Sequence, residues 1–180
     1  MRIISGKFKG KIISPPSNLP SRPTTDFAKT GLFNIINNYY HFESLKVLDL
    51  YGGTGNISLE FISRGAKTVT YVEKNYNCLR FIKTETEKLK IDNFIAIKSD
   101  VQSFLKSIGE KFDLIFADPP YDTEDAADVV KKVFDLNLLN ENGMLIVEHS
   151  NRQNLNELSN HKETRKYGNV CFSFFYTFQI

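Results

Sequence analysis

From Lys46 onward, apolar residues arrive in short blocks separated by amphipathic stretches. KVLDL (46–50), TVTYVE (68–73), FIAIK (94–98), FDLIFA (112–117) and GMLIVEH (143–149) are strand-length runs rich in branched and aromatic side chains. Between them, NISLEFISRG (56–65), NCLRFIKTETEKL (77–89), VQSFLKSI (101–108) and AADVVKKVFDL (126–136) read as helical stretches. Strands alternating with helices predict an α/β fold, a mostly parallel sheet with helices on both faces. The tail breaks this rhythm. In ETRKYGNVCFSFFYTFQI (163–180), two β-rich runs flank a YGN turn, which predicts an antiparallel C-terminal hairpin closing one sheet edge.

The front differs again. In RIISGKFKGKII (2–13), Lys7, Lys9 and Lys11 alternate against Phe8 and Ile12, and period-two spacing predicts a small N-terminal β-hairpin with its lysines on one face. PPSNLPSRPTTD (15–26) reads as an irregular linker. Thr25 or Asp26 can then cap a helix whose apolar positions are Leu32, Phe33, Ile35, Ile36 and Tyr39. The expected division is a basic hairpin and linker over 1–21, followed by the main domain over 22–180.

Composition narrows the class. At 180 residues the chain supports one sizeable core. No apolar run approaches the roughly 20 residues needed to cross a bilayer, and the opening is too charged for a signal peptide, so the expectation is a soluble cytoplasmic protein with no membrane partner. Cys78 and Cys171 lie far apart, and His41, His149 and His161 are scattered, so neither a metal site nor a disulfide framework is expected. Net charge is only +2, yet residues 1–41 hold six basic residues against one acid. Arg2, Lys7, Lys9, Lys11 and Arg22 are therefore candidates for nucleic-acid contact; the other reading is a solvated edge blunted against aggregation.

Ligands of open α/β sheets bind at the carboxyl ends of the strands, where strand order reverses. The first predicted strand runs into DLYGGTGN (49–56), with Asp49 at its end and Gly52, Gly53, Thr54 and Gly55 after it. Such a turn lets a ligand approach the backbone, and the helix behind it offers free amides. A plain structural turn has the same pattern. The dinucleotide fingerprint wants a third glycine where this chain has Ser58. Glu73 ends the second strand, where an acid can accept from ribose hydroxyls. Asp100 follows the third strand, as a ligand or as a helix cap. The fourth delivers DPPY (118–121). Pro119 and Pro120 fix φ and carry no N–H, so Asp118 and the adjacent carbonyls present acceptors only, while Tyr121 presents a flat π face. That set suits a planar base bearing an exocyclic NH2; the bland alternative is a proline turn with a capping Asp.

VLDLYGGTG, Glu73, Asp100 and DPPY together resemble class I S-adenosylmethionine-dependent methyltransferases that modify exocyclic amines. RIISGKFKGKII followed by RPTTDFAKTGLFNII, with YGNVCFSFF in the tail, resembles the RsmD family of bacterial 16S rRNA guanine-N2 methyltransferases. The likeness spans nearly the whole chain. It implies a Rossmann-like, seven-stranded sheet, S-adenosyl-L-methionine as cofactor, and 16S rRNA or a small-subunit assembly intermediate as the partner of a monomer. It further implies that Gly53, Thr54 and Gly55 lie against the methionine part, with Asp49 supporting the turn. Glu73 is expected on the ribose hydroxyls and Asp100 on the adenine amino group. Asp118 and the Pro119 carbonyl are expected to hold the guanine amine, with Pro120 stiffening the turn and Tyr121 stacking on the unstacked base.

The chain departs from the family at one point. An acid usually precedes LF in the first helix, where this sequence has Thr30 and Gly31, and an interior glycine costs roughly 1 kcal/mol relative to alanine. Four rival readings share some of these features. An adenine-N6 methyltransferase also uses DPPY but usually adds a target-recognition domain, for which this chain is short. A protein-amide methyltransferase is expected to carry NPPY. A nicotinamide-dependent oxidoreductase is disfavoured by Ser58, and a non-catalytic RNA-binding module by an intact DPPY beside the glycine turn.

Overall fold

Thr25 opens the first helix by accepting the Ala28 N–H on its side chain at 3.2 Å. The computed structural model describes residues 1–19, 24–120 and 125–177, with the Asp125 side chain excepted; Arg22 and Tyr121 lie outside the described residues. Helix α1 spans Asp26–Tyr39. The alternation then runs β1 (Lys46–Leu50), α2 (Asn56–Ser63), β2 (Thr68–Glu73), α3 (Tyr76–Lys88), β3 (Phe94–Lys98), α4 (Val101–Ser107), β4 (Phe112–Ala117) and α5 (Asp125–Asp135). Strands β5 (Leu139–Ser150), β6 (His161–Tyr167) and β7 (Val170–Tyr176) complete it.

The seven strands form one sheet in the order β3-β2-β1-β4-β5-β7-β6. Strands β1 to β5 are parallel, and β7 runs antiparallel to both β5 and β6. Chain order reverses between β1 and β4, so a crevice is expected at their carboxyl ends. Both central strands are buried on two faces. Leu114 and Phe116 of β4 pack with Phe33 of α1 and Phe61 of α2, while Ile115 and Ala117 pack with Phe104 of α4 and Val129 of α5. Strand β5 begins at Leu139, four residues before the apolar run that announces it. Phe112 pairs with Leu139 but Leu114 with Met144, and this bulge holds Asn142 in the left-handed region at φ 61°. Among the described residues no helix is long and apolar enough to cross a membrane.

The front of the chain narrows one expectation. No strand is formed over residues 2–13, but the two arms pair antiparallel over a short stretch: Arg2 and Ile12 make an isolated bridge, Met1 and Ile13 exchange backbone hydrogen bonds at 2.9 Å, Ile3 donates to the Lys11 carbonyl at 3.0 Å, and residues 5–10 are bends and turns. The reason is competition for backbone donors. The Glu60 carboxylate takes the N–H groups of Ile4 (2.8 Å) and Ser5 (3.1 Å), and Ser63 takes those of Lys7 (2.7 Å) and Phe8 (3.0 Å). These four donors, spent on α2, cannot extend the pairing of the two arms into a longer ladder. Gly6 sits at φ +79°, and a β-carbon there would fall 1.7 Å from the Ser63 carbonyl, so only glycine admits this approach.

Gly31 also has a reason. A β-carbon at this position would lie 2.2 Å from the Tyr167 ring, so α1 carries a glycine where the tail hairpin seats an aromatic side chain. Thr30 turns its hydroxyl back to the Asp26 carbonyl at 2.7 Å.

Candidate active site

The glycine turn is held from three sides. Gly55 caps α2 at φ +76°, Gly53 stands at φ +52°, and Tyr51 takes the left-handed conformation at φ 58° without being glycine. A non-glycine residue there costs about 1 kcal/mol or more, a strain typical of ligand-binding turns. What holds it is Glu73 at the end of β2. One carboxylate oxygen accepts the Gly53 N–H at 3.0 Å and the other the Asn75 N–H at 2.7 Å. From the buried neighbour position Tyr71 donates its hydroxyl to the Gly53 carbonyl at 2.7 Å. Each Glu73 oxygen keeps a further lone pair for a ligand hydroxyl.

Asp49 lies beneath this turn, 1 % exposed, and takes the Ser58 hydroxyl at 2.5 Å. Burial pushes its pKa up to about 7 against the pull of Ser58, and Glu73 and Glu148 raise it further. Ser58 matters in the sequence as the residue that spoils a dinucleotide fingerprint; in the structure it is the partner of a buried acid.

Across the reversal point, Asp118 follows the last residue of β4, and its own N–H reaches the Leu50 carbonyl at 3.4 Å. Pro119 is buried and Pro120 exposed. A small cavity is lined by Asp49, Gly53, Thr54, Asn56, Phe116 and Asp118, among others, so the glycine turn and Asp118 meet in one place. The pairing of Ala117 with Val147 puts Glu148 of β5 next to Asp118. The Asp118 carboxyl is pushed well above the usual carboxylate range by burial, then by the negative fields of Glu148 and Asp49. No described residue donates a hydrogen bond to it.

Asp100 stands apart. It is exposed and caps α4, accepting the Ser103 N–H at 3.1 Å. Beyond the cap it keeps lone pairs at the carboxyl edge, two strands away from β1.

The basic front is divided. Lys7 is tied by its backbone to Ser63 at the far end of α2, and Lys7, Lys9 and Lys11 are all exposed. Arg2 lies at the other end, paired with Asp26 through Nε (3.0 Å) and Nη2 (2.9 Å). An eight-residue helix is about 12 Å long, which separates the two groups.

Four polar residues at the site are missed by sequence reasoning. Thr24, the third residue of RPTTD, donates to the Glu148 carboxylate at 3.0 Å and accepts from the Asn56 side chain on its carbonyl at 2.9 Å. Asn56 in turn accepts from the buried Lys29 ammonium at 2.8 Å, which also donates to the Arg2 carbonyl at 2.6 Å and pairs with Glu60 at 3.5 Å. Burial pulls the Lys29 pKa down, and Glu60 and Asp26 pull it back up. The segment from Thr24 to Asp26 is thus a strap bolted over the crevice. The signal that could have found it is a lysine at helical spacing among apolar neighbours, a position where burial demands a partner.

Sheet order, reversal point, glycine turn and strand-end acids define a class I S-adenosylmethionine-dependent methyltransferase. Comparison with known proteins gives the family. Residues 1–176 match the family described as Conserved hypothetical protein 95. The chain is 32 % identical over 157 residues to the ribosomal RNA small subunit methyltransferase D of Buchnera aphidicola, covering 86 % of this chain and 78 % of that one. Its fold superposes on a hypothetical protein of Thermus thermophilus with a TM-score of 0.84 at 25 % identity, covering 97 % and 98 % of the two chains. It also matches the fold of the T. thermophilus 16S rRNA N2 G1207 methyltransferase RsmC, solved with AdoMet and guanosine, at a TM-score of 0.69 and 22 % identity over 88 % of this chain and 45 % of that one. The chain belongs to the RsmD family, and its cofactor is S-adenosyl-L-methionine.

Proposed function

We propose that this chain transfers a methyl group from S-adenosyl-L-methionine to the exocyclic N2 amine of a guanine in 16S rRNA, on the small subunit or a precursor of it. The observation that carries the reading is Asp118, the acid that the two prolines follow, at the same cavity as the glycine turn. When bound, the cofactor supplies an electrophilic methyl on a cationic sulfur. The residues fit such a group. Asp49, Asp118 and Glu148 crowd three carboxyl groups at the reversal point, and the raised proton affinity of Asp49 and Asp118 is what a cation placed there would lower; Glu73 has lone pairs left for ribose hydroxyls. Gly53, Thr54 and Gly55 form the wall facing the methionine part, and Asp100 is the acceptor assigned to the adenine amino group.

A guanine amine is a poor nucleophile because its lone pair is delocalised into the ring. Asp118 and the Pro119 carbonyl accept its two hydrogens, favour a pyramidal nitrogen and aim the lone pair, so the gain comes from positioning and electrostatics. A carboxyl whose proton affinity is raised by burial is also a competent acceptor for the proton released. Tyr121, outside the described residues, is assigned to stack on the base. The basic residues Arg2, Lys7, Lys9, Lys11 and Arg22 are assigned to phosphates. Family membership supports the rRNA substrate, since the Buchnera relative is named for the small subunit.

The test is transfer of labelled methyl to unmodified 16S rRNA, small-subunit particles and duplex DNA, with the product nucleotide mapped by mass spectrometry. Label on a guanine N2 is expected. Label on DNA adenine, or on protein alone, would overturn the assignment.

A further inference from the structure

Phe27 is 74 % exposed three residues after Thr24, in the first turn of α1. A lone exposed phenylalanine needs no explanation, but this one is not alone. Its ring meets Tyr167 edge-on, with centroids 5.7 Å apart, and Tyr167 is itself fixed against Phe172 at 5.8 Å and against the bare backbone of Gly31. The chain accepts a helix-interior glycine, roughly 1 kcal/mol worse than alanine, and the tyrosine fills the vacated space. Phe27 therefore stands on a rigid support. A ring already fixed loses little freedom when a ligand covers it.

The platform sits on the catalytic side of the sheet. Ser150, at the carboxyl end of β5, pairs with Val170, and Tyr167 pairs with the same Val170, so the β6–β7 turn lies at the edge where Asp118 lies. Thr24, three residues before Phe27, lines the crevice with Asp118. The charged neighbours favour a polyanion. Arg2 is bonded to Asp26, beside Phe27, and keeps donors to spare on an exposed side chain. Lys166, beside Tyr167, is exposed and has no ion pair among the described residues.

We propose that Phe27, backed by Tyr167, is a stacking platform for an unpaired rRNA base flanking the one presented to Asp118, with Arg2 and Lys166 on the adjoining phosphates. Aromatic rings interleaved with basic residues are how proteins hold single strands without reading their sequence. The inference rests on the rRNA reading above and deepens it by naming where the flanking strand runs.

The test compares Phe27→Ala, Phe27→Leu and Phe27→Trp for binding of unmodified 16S rRNA and of a single-stranded RNA oligonucleotide, with cofactor affinity as the folding control. Phe27→Ala and Phe27→Leu are expected to weaken RNA binding about tenfold, the scale of one lost base stack, while Phe27→Trp retains it. Wild-type affinity in Phe27→Ala, or in Phe27→Leu, would overturn the platform, the latter by showing that any apolar group suffices. A photocrosslinker at position 27 should label rRNA in small-subunit particles; label on a ribosomal protein instead would also overturn it. The rRNA reading fails separately, if the wild-type enzyme methylates no RNA, because the oligonucleotide binding arm needs no turnover.

Discussion

At the glycine turn each buried or strand-end acid has its donors: Glu73 takes a backbone N–H on either oxygen, and Asp49 takes the Ser58 hydroxyl. Across the reversal point the opposite holds. Asp118 stands beside Asp49 and Glu148 with no described donor to its carboxylate, and burial and like charge push its pKa up. One half of the crevice is complete in the folded chain. On the other, Asp118 has no donor among the described residues, and an amine is the group that supplies one. The difference teaches that the folded chain preorganises the turn, while the substrate side leaves Asp118 an acceptor to be satisfied by what binds.

Removing the unmet acid breaks the comparison most sharply. Asp118→Ala should lower methyl transfer by about a thousandfold or more, while S-adenosylmethionine affinity, measured by calorimetry, stays within a few-fold. Substantial turnover in that variant would remove Asp118 from the chemistry.

Next in size is the strap. Lys29→Met leaves Glu60 buried with Arg64 but without its ammonium, and it cuts the links to Asn56 and the Arg2 carbonyl. Breaking one side of a buried ion pair costs about 3–5 kcal/mol, so a urea midpoint should fall accordingly. An unchanged midpoint would mean that Thr24 and the start of α1 are held by something other than this network.

Glu73→Ala probes the complete half. It removes the acceptor of the Gly53 N–H and the assigned ribose contact together, and it should weaken cofactor binding ten- to a hundredfold by calorimetry, about 1.4–2.7 kcal/mol. If binding is unaltered, the glycine turn is only a turn.

Much of this was legible in the residues themselves. The alternation of apolar blocks carried β1, β2 and β4 because strands buried on both faces must read as continuous apolar runs, while the half-exposed edge strand β3 was carried by its branched residues; DPPY announces itself because two prolines remove donors from a strand end. The hairpin expected over 2–13 is reduced to a short antiparallel pairing for a specific reason. Period-two spacing describes side chains, and it is silent on whether Glu60 and Ser63, more than fifty residues on, will claim the backbone N–H groups. Glu148 and Thr24 were invisible because their pairing spans 124 residues and leaves no local pattern. Gly31 looked like a weak helix position until Tyr167 was seen against it.

Asp49 sharpens the comparison through pH. Its folded pKa, near 7, lies above the ordinary carboxylate value of 3.8, so between those values the folded state holds a proton that the unfolded state releases. Its contribution is therefore full below about pH 4 and is lost as pH rises toward 7. Asp49→Asn lacks this loss and should gain stability relative to the wild type over that window, by at most about 1.4 kcal/mol per pH unit. Urea midpoints of the two proteins measured across the window give the difference; a difference that stays constant with pH would mean Asp49 titrates normally.

The smallest effect on folding separates the two ends of the basic front. The Arg2–Asp26 pair is exposed, 58 % and 39 % by side chain, and such pairs contribute about 0–1 kcal/mol. Arg2→Ala should therefore leave the melting temperature nearly unchanged. Its role at the crevice edge shows instead in the salt dependence of RNA binding. Each phosphate contact to a single strand contributes about 0.7 to the slope of log affinity against log salt, so losing Arg2 should flatten that slope by about that amount. Lys9→Ala, on the loop that reaches the far end of α2, tests the same quantity some 12 Å along the helix. Equal flattening by both means the RNA lies along the whole of α2. Flattening by Arg2→Ala alone confines the RNA to the catalytic edge and leaves the lysines of the front loop as solvated surface.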